Sequence, residues 1–448
     1  MNKLTAFALA FATIAMAAAP GAVAIRNARI VTVSGPAVER GTVIIREGLI
    51  EAAGADATVP ADAWVIDGQG LTVYPGLIDA LSTIGIPDAA PPAAPAGRGV
   101  GQRPATPTPP TPTPAAPAPP PSRGPEDRPA TTSWQKAEDL VQVTDRRIES
   151  FRNGGFTTTV TFPARGIFAG QGAVLDLAGE KPGQMVVTGP VGQYLTLSTS
   201  GSFGNFPGSL MGTIAYIRQV YCDADQYKTA KAVYAKNPRG LARPEYDRAL
   251  EGVLESPRIL LPATRAVEIA RMVRFGQELK QPFVLYGLHE AYRAANVLKD
   301  ASVPALVSLK WPERDKDADP DEIEAMRVLD LRDKAPGTAA ALAKAGVPFA
   351  FYTDGIATPR EVMRAVKKAI DAGLKPEEAV RAMTLSPAQI YGVADRLGSI
   401  EKGKIANLVV TKGDLFQDKT EVKYVFIDGQ KFEPVEEPPA TPRSREAQ

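Results

Sequence analysis

The chain of 448 residues holds one histidine, His289, and one cysteine, Cys222. A single cysteine excludes an intrachain disulfide in any compartment. A single imidazole removes the commonest metal ligand, and the usual acid–base group near neutral pH, from every position but one. Charge of one sign is missing too: 51 basic and 50 acidic residues leave a formal net charge of +1, so no long-range field points to nucleic acid or to an acidic surface. No G-x-S-x-G elbow and no Walker-type glycine loop occurs, and the glycines of 201–208 read as a loop. Beyond the N-terminal segment, no apolar run is long enough to cross a bilayer. What remains is ordinary for a globular protein: 44% hydrophobic and 23% charged residues, enough for one large domain and a smaller one.

The first residues read as an export signal. Lys3 supplies a positive start, an apolar run extends from Leu4 to about Ala19, and Ala22-Val23-Ala24 has the small-x-small pattern of a cleavage site. Residues 1–24 are therefore expected to be a leader removed after Ala24, leaving a periplasmic or extracellular chain without a membrane span. A retained anchor helix is the alternative.

Residues 25–74 are strand-like, in runs such as Ala24–Val33, Gly41–Gly48 and Ala63–Gly68. Such short units need a partner sheet, and similar runs at Ala406–Thr411 and Lys423–Gly429 offer one. Between them, short apolar runs (Thr157–Phe162, Met185–Val187, Arg258–Leu261, Phe283–Tyr286, Ala305–Leu309 and Phe349–Tyr352) suit buried parallel strands. Helical stretches intervene at Ala266–Leu279, Glu290–Lys299 and Thr338–Lys344. This alternation predicts a parallel α/β sheet, and spacing alone does not choose between a closed barrel and an open, doubly wound sheet. Thr358-Pro359-Arg360-Glu361 and Ser386-Pro387-Ala388-Gln389 read as helix starts. From Pro87 to about Thr132 the chain is dominated by Pro and Ala, which favours extended polyproline conformations over a packed core.

Several motifs carry a resemblance. Val73-Tyr74-Pro75-Gly76-Leu77-Ile78-Asp79 is similar to the segment that opens the barrel of amidohydrolases. Leu374–Val380, Met383–Ala388 and Gly398–Val410 resemble the late helix and the return to the small domain in the imidazolonepropionase-like branch, as do Gly170–Val174 and Gly413–Phe416. The resemblance implies a distorted (β/α)8 TIM-type barrel over 75–397, with the Pro/Ala insertion at about 87–132. It also implies a small β-sandwich domain built from 25–74 and 398–435, followed by a disordered tail at 436–448.

In that family the opening Asp is followed by x-His-x-His, two imidazoles on one strand face reaching one ion. Here Asp79 is followed by Ala80-Leu81-Ser82-Thr83, so Leu81 and Thr83 hold the two ligand positions. An isobutyl group cannot coordinate a cation, and one hydroxyl is a poor substitute. The strand ends matching the family's other histidines fall near Leu261–Thr264 and Val284–Gly287 and contain none. His289 reads as a helix-start or surface residue. Asp354 stands where the family places its last metal ligand and proton shuttle, and Asp79, Tyr286 and Arg265 are candidate substrate-binding residues. Cys222 reads as a small buried residue.

Metal lowers the pKa of bound water from about 15.7 to about 7, a gap of about 12 kcal/mol that one ordinary carboxylate does not supply. No cofactor is expected, and zinc or another divalent ion only if the site is rearranged. Three readings follow. The first is a catalytically silent barrel that binds a small cyclic amide or peptide, forms a homo-oligomer or supports an active homologous subunit. The second is a C–N hydrolase with a carboxylate-rich site drawn from Asp79, His289, Glu290 and Asp354. The third is an envelope tether that uses the Pro/Ala strip. Nucleic acid is not an expected partner.

Overall fold

The computed structural model describes residues 21–87, 124–199, 206–314, 317–319, 321, 323–417 and 420–434. The core of the leader, most of the Pro/Ala strip and the tail lie outside them. Residues 124–132 belong to the folded body: Thr131 is buried and its hydroxyl lies 2.6 Å from the Tyr216 hydroxyl.

Strands from both ends of the chain form one eight-stranded sheet. Its order is Gln430–Phe432, Glu421–Ile427, Leu408–Lys412, Leu71–Pro75, Ala22–Ile30, Val38–Arg46, Leu49–Gly54, and Ala63–Asp67 also pairs with Ala22–Ile30. Because Ala22–Ile30 changes partner along one edge, from Ala63–Asp67 to Leu71–Pro75, the sheet wraps a core that includes Ile25, Val43, Val73, Leu408 and Phe426.

The first strand contains the expected cleavage site. Ala22, Val23 and Ala24 pair with Arg46, Ile45 and Ile44, and both Ala24 and Ile25 are fully buried. A chain starting at Ile25 would lose those pairs and place a charged α-amine in the core, at a cost of several kcal/mol. We expect a chain starting at Ile25 to melt well below one starting at Gly21 in thermal unfolding. Equal melting temperatures would show that the first three strand residues contribute nothing.

The central region forms two further sheets. One has the order Val186–Thr188, Ala173–Asp176, Phe156–Thr161, Leu77–Ser82; the other runs Phe349–Tyr352, Ala305–Ser308, Phe283–Gly287, Ile259–Ala263, Gln193–Leu195, Phe168–Gln171. The fold is thus mixed α/β. Both faces of these strands are buried, which explains their near-continuous apolar sequences. Val160, Val174, Leu260, Val284, Leu306 and Ala350 meet Ile78 in one cluster drawn from both sheets, while Leu261, Leu285, Val307 and Phe351 face the surrounding helices in another. Alternate residues point to opposite faces, so one strand feeds both cores.

Helices Ala266–Leu279 and Thr338–Ala345 and strand Phe349–Tyr352 form where the periodicity places them. Other boundaries differ. Met185 ends a short helix, Pro182–Met185, instead of opening a strand. The stretch after His289 is a 3-10 turn, Ala291–Arg293, and a helix, Ala295–Asp300. Thr358 caps its helix by accepting from Glu361 N–H at 3.3 Å, but Ser386 lies inside helix Leu385–Tyr391, whose N-cap is Thr384. Cys222 is exposed on the long helix Leu210–Lys236 and is not a core residue. Among the described residues, no helix is long and apolar enough to cross a membrane.

Candidate functional site

The strand parity that builds the inner cluster also selects the site. Two residues beyond Val284, Leu306 and Ala350 come Tyr286, Ser308 and Tyr352, on the same side of their strands and near the C-terminal ends. A cavity of about 430 Å³ opens there, lined in part by Leu81, Thr83, Phe162, Tyr194, Tyr352 and Asp354. Its size suits a small molecule. Larger hollows, such as one of about 560 Å³ beside Tyr74 and Leu415, lie away from these strand ends.

Asp79 is bonded to two residues of the cavity lining, Leu81 and Thr353. Its carboxylate is buried and accepts from Thr353 N–H at 3.0 Å, from the Thr353 hydroxyl at 2.6 Å and from Leu81 N–H at 3.4 Å. Burial pushes its pKa up to about 7; the Thr353 bonds oppose the shift and the nearby Asp354 charge adds to it. Asp79 therefore ties the first strand of this region to the last, and its oxygens are committed to Thr353 rather than open to a ligand.

Asp354 follows directly, in a left-handed backbone conformation (φ 51°) that Asp tolerates better than most residues. It is exposed, lines the cavity, and accepts a 2.7 Å hydrogen bond from the Ser308 hydroxyl. Its charge raises the pKa values of Tyr194, Tyr286 and Tyr352, after burial as the larger cause. The aromatic wall is packed: Tyr194 lies 5.1 Å from Tyr286 and 5.8 Å from Phe162, and Tyr286 meets Tyr352 edge-on at 6.5 Å. The Tyr286 hydroxyl donates to Leu195 C=O at 2.9 Å, and its ring backs the wall.

The two positions that the sequence compares with metal-binding histidines are filled otherwise. Leu81 is buried. The Thr83 hydroxyl accepts from Arg147 Nη1 at 2.9 Å, and Arg147 Nη2 donates to Thr83 C=O at 2.8 Å and Ile86 C=O at 2.9 Å. The Arg147 guanidinium also pairs with Asp145 at 2.7 Å. Burial works against the Asp145 charge, yet the Arg147 bonds hold its pKa below the usual value. A fixed guanidinium thus borders the cavity beside Thr83. Among the described residues, no three His, Cys, Asp or Glu side chains converge to hold one ion. This donor set does not fit a divalent metal of the kind the resemblance implies.

The carboxylate-rich set proposed from sequence does not assemble. Glu290 is buried and accepts from Ala266 N–H at 2.8 Å, at the start of helix Ala266–Leu279. Arg265 is half-exposed, pairs with Glu268 and takes no part in the cavity. His289 is not a surface residue: its ring sits 5.9 Å from Trp311 and its Nε2 is buried without a hydrogen-bond partner. Burial lowers its pKa, against the opposing pull of Asp354 and the Ser308 backbone. Arg147, Tyr194, Ser308 and Tyr352 went unnoticed in the sequence. The signal for the last two was available, since each lies two residues beyond an inner core position.

A second buried carboxylate joins the α/β region to the eight-stranded sheet. Asp176 accepts from Thr158 Oγ1 at 2.9 Å and from Asn407 Nδ2 at 2.7 Å, and burial raises its pKa to about 7. Asn407 in turn accepts from Asp428 N–H at 2.8 Å.

The profile of the Amidohydrolase family matches residues 275–431. An N-acetylglucosamine-6-phosphate deacetylase from Haemophilus influenzae is 50% identical over 50 residues, which is 11% of this chain and 13% of that protein. An imidazolonepropionase from Flavobacterium johnsoniae is 42% identical over 73 residues, 15% of this chain and 18% of that protein. The chain therefore matches less than a fifth of either relative. The crystal structure of an amidohydrolase from Thermotoga maritima superposes with a TM-score of 0.72 at 27% identity, over 92% of this chain and all of that one. A prolidase solved with N-methylphosphonate-L-proline shares the fold alone, with a TM-score of 0.52 at 15% identity over 92% of this chain and 99% of that one. The motif order, the match of residues 275–431 to the Amidohydrolase family and an architecture shared along nearly the whole chain with the Thermotoga maritima amidohydrolase together make this chain similar to the amidohydrolases.

Proposed function

We propose that this protein is an exported member of the family that binds a small molecule at its strand ends and does not carry out metal-dependent hydrolysis. The observation that carries the proposal is the capture of Thr83 by Arg147, next to Leu81. The Thr83 hydroxyl and carbonyl are taken up by Arg147 and the Leu81 side chain has no donor atom, so the positions where the family resemblance calls for imidazoles offer a divalent ion no free ligand. Without a metal, the water held there has no source of acidity comparable to a metal-bound one. Export rests on the leader pattern of the first residues.

The proposal includes a closed, distorted (β/α)8 barrel. Supporting it, the inner cluster takes residues from both central sheets, and Asp79 on one is bonded to Thr353 at the end of the other. Closure would place the cavity at the C-terminal mouth, where barrel proteins bind their ligands.

Elemental analysis of tag-free protein prepared with added zinc and manganese tests this reading. The expected result is far less than one metal per chain, with no turnover of cyclic amides or Xaa-Pro dipeptides. One tightly held metal per chain, together with turnover abolished by a chelator, would establish instead an active C–N hydrolase with a rearranged site.

A further inference from the structure

We infer that the strand-end cavity takes a small organic ammonium ion, with Asp354 as its counter-ion and Phe162, Tyr194 and Tyr352 as its aromatic wall. The inference rests on the binding-pocket reading above and names the ligand of that pocket.

The balance of charge decides the sign. Arg147 brings a positive charge to the lining, but it shares that charge with Asp145 at 2.7 Å and directs its other N–H groups to Thr83 and Ile86. The pair is close to neutral as seen from the cavity. Asp79 is buried, with its pKa raised to about 7 and its oxygens bonded to Thr353 and to Leu81 N–H, so it carries at most a partial charge near neutrality and presents none of its oxygens to the cavity. Asp354 is left as the uncompensated charge. One of its oxygens accepts from Ser308, and the other has no hydrogen-bond partner among the described residues. Asp354 lines the cavity together with Tyr194 and Tyr352, and its charge adds to the upward shift that burial gives both phenols. An anion entering this space would meet a carboxylate between low-dielectric walls and be repelled.

The walls favour a cation of dispersed charge over a bare ion. A metal ion needs several donors, and no three acidic or imidazole groups converge among the described residues. An ammonium group needs one counter-ion and gains from aromatic faces, which carry the negative end of the ring quadrupole. Phe162, Tyr194 and Tyr352 line the cavity, and Tyr286 stands behind Tyr194 at 5.1 Å to fix it. The carbon body of the ligand would rest on Leu81 and Ile84. A carboxylate facing an aromatic wall is the combination that discriminates an amine from a neutral molecule of equal shape.

Calorimetric titration of the full chain at pH 7 with benzylammonium, benzyl alcohol and benzoate tests the inference. Benzylammonium is expected to bind at least about tenfold tighter than the alcohol, and benzoate not at all. Asp354→Asn should abolish the difference between ammonium and alcohol. Asn accepts the left-handed backbone at this position, so the fold should survive the change. Tyr194→Leu should weaken benzylammonium several-fold while the preference for the cation persists. Equal affinity for ammonium and alcohol, a preference for benzoate, or no binding of any probe overturns the ammonium assignment and leaves the metal-free reading standing. One metal per chain in the elemental analysis sinks that reading itself.

Discussion

Asp79→Asn is expected to flatten the pH dependence of stability, leaving the protein little changed below about pH 3.8, stabilising it by on the order of 1.5 kcal/mol at pH 5 and by on the order of 4 kcal/mol at pH 8. The Asp79 carboxyl has a folded pKa of about 7 against an ordinary value of 3.8, mainly because it is buried. Below 3.8 the group is neutral in both the folded and the unfolded chain and costs nothing. As pH rises toward 7 the unfolded chain ionises first, so the folded state loses stability by on the order of 4 kcal/mol, completed above the folded pKa. An Asn side chain reproduces the protonated acid: its oxygen accepts from Thr353 N–H and its amide donates to the Thr353 hydroxyl.

The same substitution at Asp176 should act in the same direction, since that carboxyl is also raised to about 7 by burial. His289 contributes the opposite slope: its depressed pKa makes the folded state lose stability as pH falls below about 6.5. Urea unfolding of parent and variants at pH 5 and pH 8 separates these effects. If the parent is equally stable at the two values, or the Asn variants lose as much as the parent, the buried carboxyls are not the cause.

Gly76→Ala should destabilise the protein by about 3 kcal/mol or more, the upper part of the overpacking range. A Cβ at residue 76 would lie 2.0 Å from Thr157 Oγ1, 2.3 Å from its Cγ2 and 2.7 Å from its Cβ. Neither side can yield easily. Thr157 is fully buried and β-branched, so its side chain has few alternatives. The Gly76 backbone is pinned by its N–H, which donates to Asn407 C=O at 2.8 Å. The glycine of the opening motif is thus explained by a close approach where the chain passes from the eight-stranded sheet into the α/β region. In a Thr157→Gly background, the cost of Gly76→Ala should largely vanish. A double-mutant cycle reads this directly, and additive costs would reject the clash as the cause.

Much of the fold was legible because it depends on local pattern. The apolar runs announced strands buried on both faces, and their parity tells inner residues such as Leu306 from outer ones such as Val307. Helix Ala266–Leu279 follows directly from its apolar spacing. Helix ends fared worse where a short polar residue next to proline looked like a cap, as at Ser386, because the first turn is set by what packs around it. His289 was misplaced for a similar reason: its burial comes from Trp311 and from neighbouring strands, none adjacent in sequence.

By itself the sequence determined that two imidazoles are missing from the opening strand, since residue identity alone decides which donors exist. It also determined that strands from both chain ends share a sheet pattern and that the middle alternates strand and helix. Only the tertiary structure decided what replaced the missing ligands. Arg147 reaches Thr83 across 64 positions, and Asp79 meets Thr353 across 274. Such pairings have no periodic signature, because they are created when distant strands come side by side and leave particular side chains within hydrogen-bonding reach.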